Sequence, residues 1–362
     1  MVKYIKRWIR WIGDIRLTIF LLFKLFFLIL FATFSQVDLG IFEANRKYFT
    51  SWFVWMGSMP IYLGGYAIGG LLLLNLMASH ATKFRFSKSY LGIFFIHFGL
   101  ILLIIGSGVT SFLGEEMQIS IKEGETKHYL EYPSQFELVL VDVSNPDKDI
   151  LHILPLSDLN HGIDFLGATF EVLTFSPNSI INQRGIENLK YEQLGRSFKL
   201  ISMPKTYKMS ERNIPGINLM ITQDNDTNYY LLWGGSAIYQ DIQLAGSDYL
   251  IKLRPKRRYL DFSIRLIDFT RETYEKTETA KGFLSKVQLI TDQGSFPFDI
   301  QMNEPLRYNG YTFFQSSFTE DEQTSVFQVV KNPSWVIPYV SSLIIVFGLF
   351  FQMIASMRRP RS

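Results

Sequence analysis

The chain has 362 residues, of which 48% are hydrophobic and 15% aromatic, a formal net charge of +3, and no cysteine. The lack of cysteine excludes disulfides, thiolate metal sites, a thiol nucleophile and a CxxCH haem-attachment motif within this chain. No serine–histidine–aspartate arrangement, phosphate-binding loop, metal-spaced cluster or nucleic-acid-binding patch is recognisable, so we expect no nucleic-acid partner. The apolar residues are gathered into a few segments, and this clustering indicates the class of protein.

Four apolar segments each approach the roughly 20 residues that a helix needs to cross a bilayer. The first lacks a small-residue cleavage site and is predicted to be a retained anchor. We therefore predict a membrane protein with four transmembrane helices and one large domain inserted between the third and the fourth. The predicted parts are an N-terminus at 1–16, a three-helix region at 17–112 with segments 17–35, 60–79 and 91–112, a domain at 113–334, a fourth helix at 335–355 and a tail at 356–362.

Charge is segregated along the chain in a way that predicts topology. The domain at 113–334 contains 22 Lys and Arg against 30 Asp and Glu, a net charge of −8. Because loops rich in Lys and Arg stay on the cytoplasmic side, both termini are predicted to be cytoplasmic and the domain extracytoplasmic. The basic residues precede the first segment, separate the second from the third, and follow the fourth: Lys3, Lys6, Arg7, Arg10, Arg16, Lys83, Arg85, Lys88, Arg358, Arg359 and Arg361.

Two features of the predicted membrane region have a simple physical interpretation. The loop at 36–59 contains Trp52, Phe53 and Trp55, which favour the membrane interface, so this loop is predicted to lie along the outer surface. Lys24 lies about 12 Å beyond Arg16 along an ideal helix, close enough for its side chain to reach the cytoplasmic face. A carboxylate partner is the alternative explanation for this lysine.

The domain at 113–334 shows short runs of alternating apolar and polar residues separated by turn residues. Period-two alternation predicts half-buried antiparallel strands, and their spacing predicts a β-rich sandwich or open barrel. The stretch 176–216, with three prolines and few runs of either period, is predicted to be a long loop or insertion. The clearest runs are 117–122, 136–142, 169–175, 260–268 and 326–331.

His97 is the one ionisable residue of the third apolar segment. A polar group buried in hydrocarbon costs a few kcal/mol unless something satisfies it, so an intramembrane histidine suggests a functional site. The low dielectric favours a neutral imidazole, whose free nitrogen lone pair can bind a metal. The alternative is a histidine that hydrogen-bonds to a neighbouring helix.

Glycines at 92, 99 and 106 follow one another at seven-residue intervals and therefore form a stripe along the same helix. At 100° per residue, His97 lies about 140°, 160° and 180° from these three glycines. This geometry predicts that the glycine face packs on the chain's own helices while the imidazole points to a cofactor or a second subunit. It favours the functional interpretation of His97.

Residues 87–126 resemble the cytochrome c biogenesis family ResB, also called CcsB, of the system II haem-attachment pathway. The matching features are the helix rich in glycine and leucine around His97, then Gly114 and the strand that ends at 121–126. The resemblance extends over the chain in order, although 140–290 match weakly.

A second matching block covers residues 302–317, followed by 329–335 ahead of the last apolar segment. Asn332, Pro333 and Ser334 stand where the family commonly has Asp-Pro-Gly, a change that alters a turn and no chemistry. With the same topology of spans, the two blocks make the resemblance specific.

The resemblance implies a subunit that works with a ResC- or CcsA-like multi-span partner to carry haem across the membrane. It further implies that His97 is an axial ligand to the iron of a transient, non-covalently bound haem b, and that the haem is presented to the CxxCH thiols of apocytochrome c. Phe94 and Phe98 flank His97 and could stack on the porphyrin, although phenylalanines in a lipid-facing helix need no such role. By this pattern the chain is a non-catalytic or co-catalytic subunit and lacks synthase activity alone.

The remaining histidines have simpler interpretations. His80 ends the second apolar segment and is interpreted as an interfacial residue in water or headgroups rather than a contact for entering haem. His128, His152 and His161 are interpreted as solvated residues of mixed loops.

Two further classes of function remain as alternatives. The chain could be a membrane scaffold or chaperone for apocytochrome c or for the partner, without haem, or a permease for another small molecule; so few polar side chains in the spans disfavour the permease. The expected location is a bacterial inner membrane rather than a thylakoid membrane, because the N-terminus does not resemble a transit peptide.

Overall fold

The computed structural model of the protein describes the chain in nine ranges, which divide into two compact units. One unit contains the residues up to 115 and those from 331 onward, and the other contains most of 116–330. The first unit is mainly helical and the second is β-rich. The described residues are 2–83, 90–144, 148–156, 159, 162–206, 213–224, 226–273, 280–319 and 323–357.

The first unit begins with helix α1 (Val2–Ile12) and helix α2 (Ile15–Ala44), followed by one π-helical turn at Asn45–Phe49. The predicted loop at 36–59 is wrong over its first nine residues, which continue α2. Polar residues such as Gln36 and Asp38 mark the end of the apolar segment, yet they do not stop a helix. Gly40, with a φ of 71°, introduces a kink in this extension.

The rest of this region contains the hairpin β1 (Phe53–Met56) and β2 (Met59–Leu63), helix α3 (Gly65–Lys83) and helix α4 (Leu91–Leu113). The predicted second segment starts too early, because residues 60–63 pair with β1 instead of joining α3. Lys24 holds its ammonium group 4.7 Å from the centroid of the Tyr62 ring in β2, so an aromatic face is its neighbour in the structure. This cation–π contact gives the ammonium group an aromatic neighbour, and whether the side chain reaches the cytoplasmic face stays a prediction.

Asn75 of α3 fixes the turn between α1 and α2. Its side-chain nitrogen donates hydrogen bonds to the carbonyl oxygens of Ile12, at 2.6 Å, and Asp14, at 3.1 Å, and its oxygen accepts one from Thr18. Gly13 permits this close approach, because a Cβ there would lie 2.6 Å from the backbone nitrogen of Ser79. A buried amide that satisfies otherwise unpaired backbone groups stabilises the start of the bundle.

The second unit is β-rich, and all five alternating runs fall within strands, as predicted. Its elements are β3 (Glu115–Lys122), β4 (Thr126–Asp142), β5 (Ile150–Pro155), β6 (Ile163–Phe165), β7 (Ala168–Ser176), β8 (Ser179–Gln183), α5 (Leu194–Ser197), β9 (Phe198–Ser202), β10 (Gly216–Gln223), β11 (Asp226–Trp233), β12 (Gln240–Leu244), β13 (Ser247–Thr273), β14 (Ala280–Thr291), β15 (Gly294–Gln301), β16 (Leu306–Tyr308), β17 (Tyr311–Phe318) and β18 (Thr324–Lys331).

Ten of these strands form one large sheet with the main order β15-β14-β13-β4-β3-β18-β17-β16, while β5 pairs with β4 and β12 pairs with β13. Strand β15 also lies against β16 and β17, so the sheet nearly closes into a barrel. A smaller sheet has the order β11-β10-β7-β6. Two apolar cores result: one contains Ile264, Phe313 and Phe327, and the other contains Phe170 and Leu219.

The stretch 176–216 is more ordered than the predicted loop. Strands β8 and β9 pair with each other in an antiparallel hairpin-like sheet, with α5 between them in sequence. The indole nitrogen of Trp233 donates a hydrogen bond to the carbonyl oxygen of Ser179 and ties this small sheet to β11. Residues 207–212 of the predicted loop lie outside the described ranges.

A buried ion pair joins the two longest strands of the large sheet. Arg254 of β13 and Glu137 of β4 are register partners, and two guanidinium nitrogens lie 3.0 Å from one carboxylate oxygen. Their side chains are only 3% and 6% exposed. Removing one partner of such a pair leaves an uncompensated buried charge.

We expect Glu137→Ala to lower the free energy of unfolding by about 3–5 kcal/mol, because Arg254 would keep its charge in a buried position. Urea unfolding of the full-length protein in detergent, followed by the strand signal in circular dichroism, measures this change. The control is Asp268→Ala, whose partner Lys286 is 51% exposed and which should cost at most about 1 kcal/mol. Equal losses in the free energy of unfolding for Glu137→Ala and Asp268→Ala would show that the buried pair stabilises the protein no more than the exposed pair does.

The last helix, α6 (Ile337–Met357), returns to the first unit and packs along α4. Ser334, just before it, shares a hydrogen bond of 2.6 Å with the Thr110 hydroxyl and donates to the carbonyl oxygen of Gly106 at 3.1 Å. The side chain of Asn332 accepts a hydrogen bond from the Ser334 backbone and forms the turn. The Asn332–Ser334 turn therefore fastens the start of α6 to the end of α4.

The predicted glycine face is the surface that meets α6, as expected for packing within the chain. A Cβ at Gly92 would lie 2.6 Å from the Cβ of Gln352, and one at Gly99 would lie 2.9 Å from the carbonyl oxygen of Ser341. A Cβ at Gly106 would lie 2.5 Å from the Cγ2 atom of Ile337. Small residues let two apolar helices approach closely, so that van der Waals packing can hold them together in lipid.

Among the described residues, three helical segments are long and apolar enough to cross a membrane: Ile15–Ile41, Leu91–Leu113 and Ile337–Met357. Helix α3 forms at the place of the predicted second span, and its crossing stays a prediction. The sides of the membrane that the termini and the β-rich unit occupy also stay predictions.

We expect Gly99→Leu to separate α4 from α6 and destabilise the bundle by about 1–3 kcal/mol or more, since the added side chain has no space. The measurement is the thermal midpoint of the detergent-purified protein. Gly108→Leu is the matched control on the same helix, because nothing lies within 4 Å of a Cβ at Gly108. Similar midpoints for both variants would show that the close approach of α4 and α6 does not stabilise the bundle.

Candidate functional site

His97 lies in the second turn of α4, on the face opposite the glycine stripe that packs on α6. Its side chain is partly buried. The centroid of its ring lies 5.6 Å from that of His80 in α3, with an angle of 69° between the ring planes. The imidazole therefore meets a second imidazole of the same chain.

The sequence did not predict the contact between His80 and His97, because His80 was interpreted as an interfacial residue. A signal was present, because consecutive membrane helices run antiparallel and place residues near their connection at similar depth. His80 lies three residues before the end of α3 and His97 six residues after the start of α4. The connecting residues 84–89 lie outside the described ranges.

Two phenylalanines of α4 complete the arrangement. The ring of Phe94 lies 5.3 Å from His80 and is stacked, with 5° between the planes, on Phe98 at 6.1 Å. Phe98 is 46% exposed, whereas Phe95 turns to the other side and packs on Phe347 of α6. We name His80, Phe94, His97 and Phe98 the histidine–phenylalanine cluster.

The donor atoms of this cluster are imidazole nitrogens alone. Within the described ranges, no three residues of the types His, Cys, Asp and Glu are grouped closely enough to hold a metal ion. The cluster could therefore contribute one or two nitrogens to a metal complex that brings most of its own ligands. Haem is such a complex, because the porphyrin supplies four nitrogens and leaves the axial positions for the protein.

Two other histidines lie in strands of the β-rich unit, not in the loops that were predicted. His128 of β4 has its ring 5.7 Å from that of Tyr259, and His152 of β5 lies 5.0 Å from Phe165. Aromatic packing accounts for the position of both rings. His161 lies outside the described ranges.

Apolar helices long enough to cross a membrane, in one chain with a β-rich unit whose large sheet nearly closes, are the features of a membrane-anchored protein. The model of the ResB-like family matches residues 243–326. This range contains the sequence block at 302–317, and the match confirms the resemblance to the ResB family. His97 lies outside the matched range.

The chain is also similar to Protein NrfI of Wolinella succinogenes, with 24% identity over 341 residues. The aligned part is 91% of this chain and 33% of NrfI. The chain thus spans about a third of the length of the curated relative that it matches.

Proposed function

We propose that this chain is the ResB-type subunit of a system II cytochrome c synthase, which binds haem b within the membrane and helps to export it. The haem would then be presented to the CxxCH motif of apocytochrome c. The observation that carries the proposal is the position of His97, on the face of α4 that the glycine stripe leaves unused, within a cluster of aromatic rings. The family match supports a role in cytochrome c biogenesis.

The histidine–phenylalanine cluster fits haem as a cargo. An imidazole in apolar surroundings stays neutral and keeps the lone pair that iron binds. Phe98, which is partly exposed, offers a ring face to the porphyrin beside His97. Haem supplies the iron and the vinyl groups, while the residues of this chain bind and orient it.

Other parts of the chain have supporting roles in this proposal. The packing of α6 on the glycines of α4 fixes the rotation of α4 and hence the direction of His97. The β-rich unit would help to deliver apocytochrome c, whose thiols form the thioether bonds, since this chain has no cysteine. A ResC- or CcsA-like partner would contribute the second axial ligand, and the chain alone would lack synthase activity.

The segregation of charge supports an inner-membrane location for this subunit. Lysine and arginine gather at the predicted cytoplasmic ends of the helices, and the segment 113–334 has a net charge of −8. By the positive-inside rule, the β-rich unit would face the extracytoplasmic side, where apocytochrome c is matured.

A scaffold without haem is the second candidate, and one observation favours it. The contact of His97 with His80 gives the imidazole a neighbour inside the chain, as a purely structural histidine would have. In that case the β-rich unit would act as a chaperone for apocytochrome c or for the partner.

We expect His97→Ala to reduce the haem content of the protein, purified from membranes with its associated proteins, at least about tenfold. Loss of even an outer-shell neighbour of a metal ligand typically costs ten- to a hundredfold in affinity. The measurement is the Soret absorbance per mole of protein, and added imidazole should restore part of it by occupying the vacated axial position.

The control for this experiment is His128→Ala, which removes a histidine of the β-rich unit that packs on Tyr259. It should keep the haem content and spectrum of the unmodified protein. If His97→Ala also kept the haem content and the spectrum unchanged, His97 would not be a ligand and the chain would act as a scaffold.

A further inference from the structure

Helix α1 carries an uncovered aromatic surface that the proposed function does not use. At 100° per residue, Tyr4, Trp8 and Trp11 lie on one side of the helix within an arc of about 60°. All three side chains are exposed, and the rings of Trp8 and Trp11 are in edge contact with centroids 6.0 Å apart. Large apolar side chains gathered in one exposed patch mark a surface that meets a membrane or another protein.

The basic side chains of α1 occupy a different side of the same helix. Lys6, Arg7 and Arg10 are exposed and fall within an arc of about 100°, which does not overlap the aromatic arc. Helix α1 contains no Asp or Glu, and among the described residues no carboxylate forms an ion pair with these three side chains. Their charge is therefore available to an anionic partner.

The separation of the two kinds of side chain distinguishes α1 from a merely basic segment. The positive-inside rule depends on the number of Lys and Arg residues near a span, not on the side of a helix that they occupy. Topology thus accounts for the charges of α1 but not for their segregation from the aromatic rings. A helix with a basic side and an aromatic side is typical of helices that lie in a membrane interface.

The turn between α1 and α2 places α1 at the end of a candidate membrane span. Only Gly13 and Asp14 separate the two helices, and the apolar segment begins at Ile15. The carboxylate of Asp14 accepts a hydrogen bond of 2.9 Å from the backbone nitrogen of Arg16 and caps the start of α2. In a bilayer that α2 crosses, α1 therefore lies at the depth of the lipid headgroups.

A third side of α1 is held by the chain itself. Helix α1 packs against α3, and its isoleucines Ile9 and Ile12 are partly buried. The hydrogen bond from Asn75 to the carbonyl oxygen of Ile12 fixes the end of the helix. The aromatic and basic sides remain uncovered, while the third side secures α1 beside the span.

We propose that α1 is an interfacial helix that binds the anionic lipids of the membrane in which α2 is anchored. The aromatic side enters the boundary between headgroups and acyl chains, where amphipathic rings are favoured. The basic side lies among lipid phosphate groups, and the cytoplasmic leaflet, which the positive-inside rule predicts for this end of α2, is the anionic one. Continuity with the span favours lipid over a protein partner. The inference does not depend on haem binding, so the two can fail separately.

The test follows a nitroxide label on α1 in the full-length protein, which has no cysteine and is therefore labelled only where one is introduced. The label is attached to Trp8→Cys, or to Gln243→Cys at an exposed position of β12 as the control. In bilayers of phosphatidylglycerol and phosphatidylcholine, electron paramagnetic resonance should show the label at position 8 exposed to oxygen and protected from a water-soluble nickel chelate. The label at position 243 should be open to the chelate.

The dependence on charge separates anionic lipid from lipid in general. In phosphatidylcholine alone, the protection of the label at position 8 should weaken. High salt should weaken it in the mixed bilayer too, because salt screens exposed charges. The salt measurement needs no charge substitution, so it decides the question even if a variant with fewer charges fails to insert.

Removing the charges of α1 gives the expected effect a size. The variant combines Lys6→Gln, Arg7→Gln and Arg10→Gln with the label at position 8. Each basic residue near an anionic surface contributes a factor of roughly five, so the ratio of docked to undocked α1 should fall at least about tenfold in the mixed bilayer. The two components of the resonance spectrum give this ratio.

The matched control removes three charges from exposed lysines of the β-rich unit, with Lys122→Gln, Lys199→Gln and Lys205→Gln. It should keep the ratio of the unmodified chain. Protection at position 8 that is indifferent to phosphatidylglycerol and to salt would overturn the proposal. Protection that appears only when other proteins are purified with the chain would also overturn it and assign the surface to a protein partner.

Discussion

The close approach of α4 and α6 through three glycines is the constraint on which the membrane unit depends. Because Gly92, Gly99 and Gly106 have no side chains, the backbones of the two helices come near enough for dispersion contacts to hold them together in an apolar solvent. This packing fixes the rotation of α4 about its axis. One face of α4 is thereby assigned to α6, and His97 on the opposite face meets His80 of α3.

The chemical character of the site follows from what surrounds the imidazoles. Apolar neighbours favour the neutral ring, and the described cluster offers nitrogen donors without carboxylates. In the proposed function, such a site would hold a complex that carries most of its ligands with it, as haem does. Phe98 is 46% exposed, so its ring remains accessible on this face of α4.

Much of the architecture could be predicted from local pattern. Alternation of apolar and polar residues located all five tested strands, because a half-buried strand requires that period. The hydropathy pattern mispredicted the ends of helices at residues whose polarity does not match their secondary structure. Residues 36–44 continue α2 although polar side chains interrupt the apolar pattern there, and residues 60–63 are apolar although they pair as a strand with β1. Strands β8 and β9 were missed because neither has a clear period.

By itself, the sequence determined the membrane character of the chain, the β-rich domain, the resemblance to the ResB family, and the face of α4 that carries His97. These properties depend on composition, on period and on the fixed geometry of a helix. Only the tertiary structure decided that His80 meets His97 and that Glu137 pairs with Arg254. Such contacts join distant parts of the chain, and which surfaces meet depends on the packing of all the elements together.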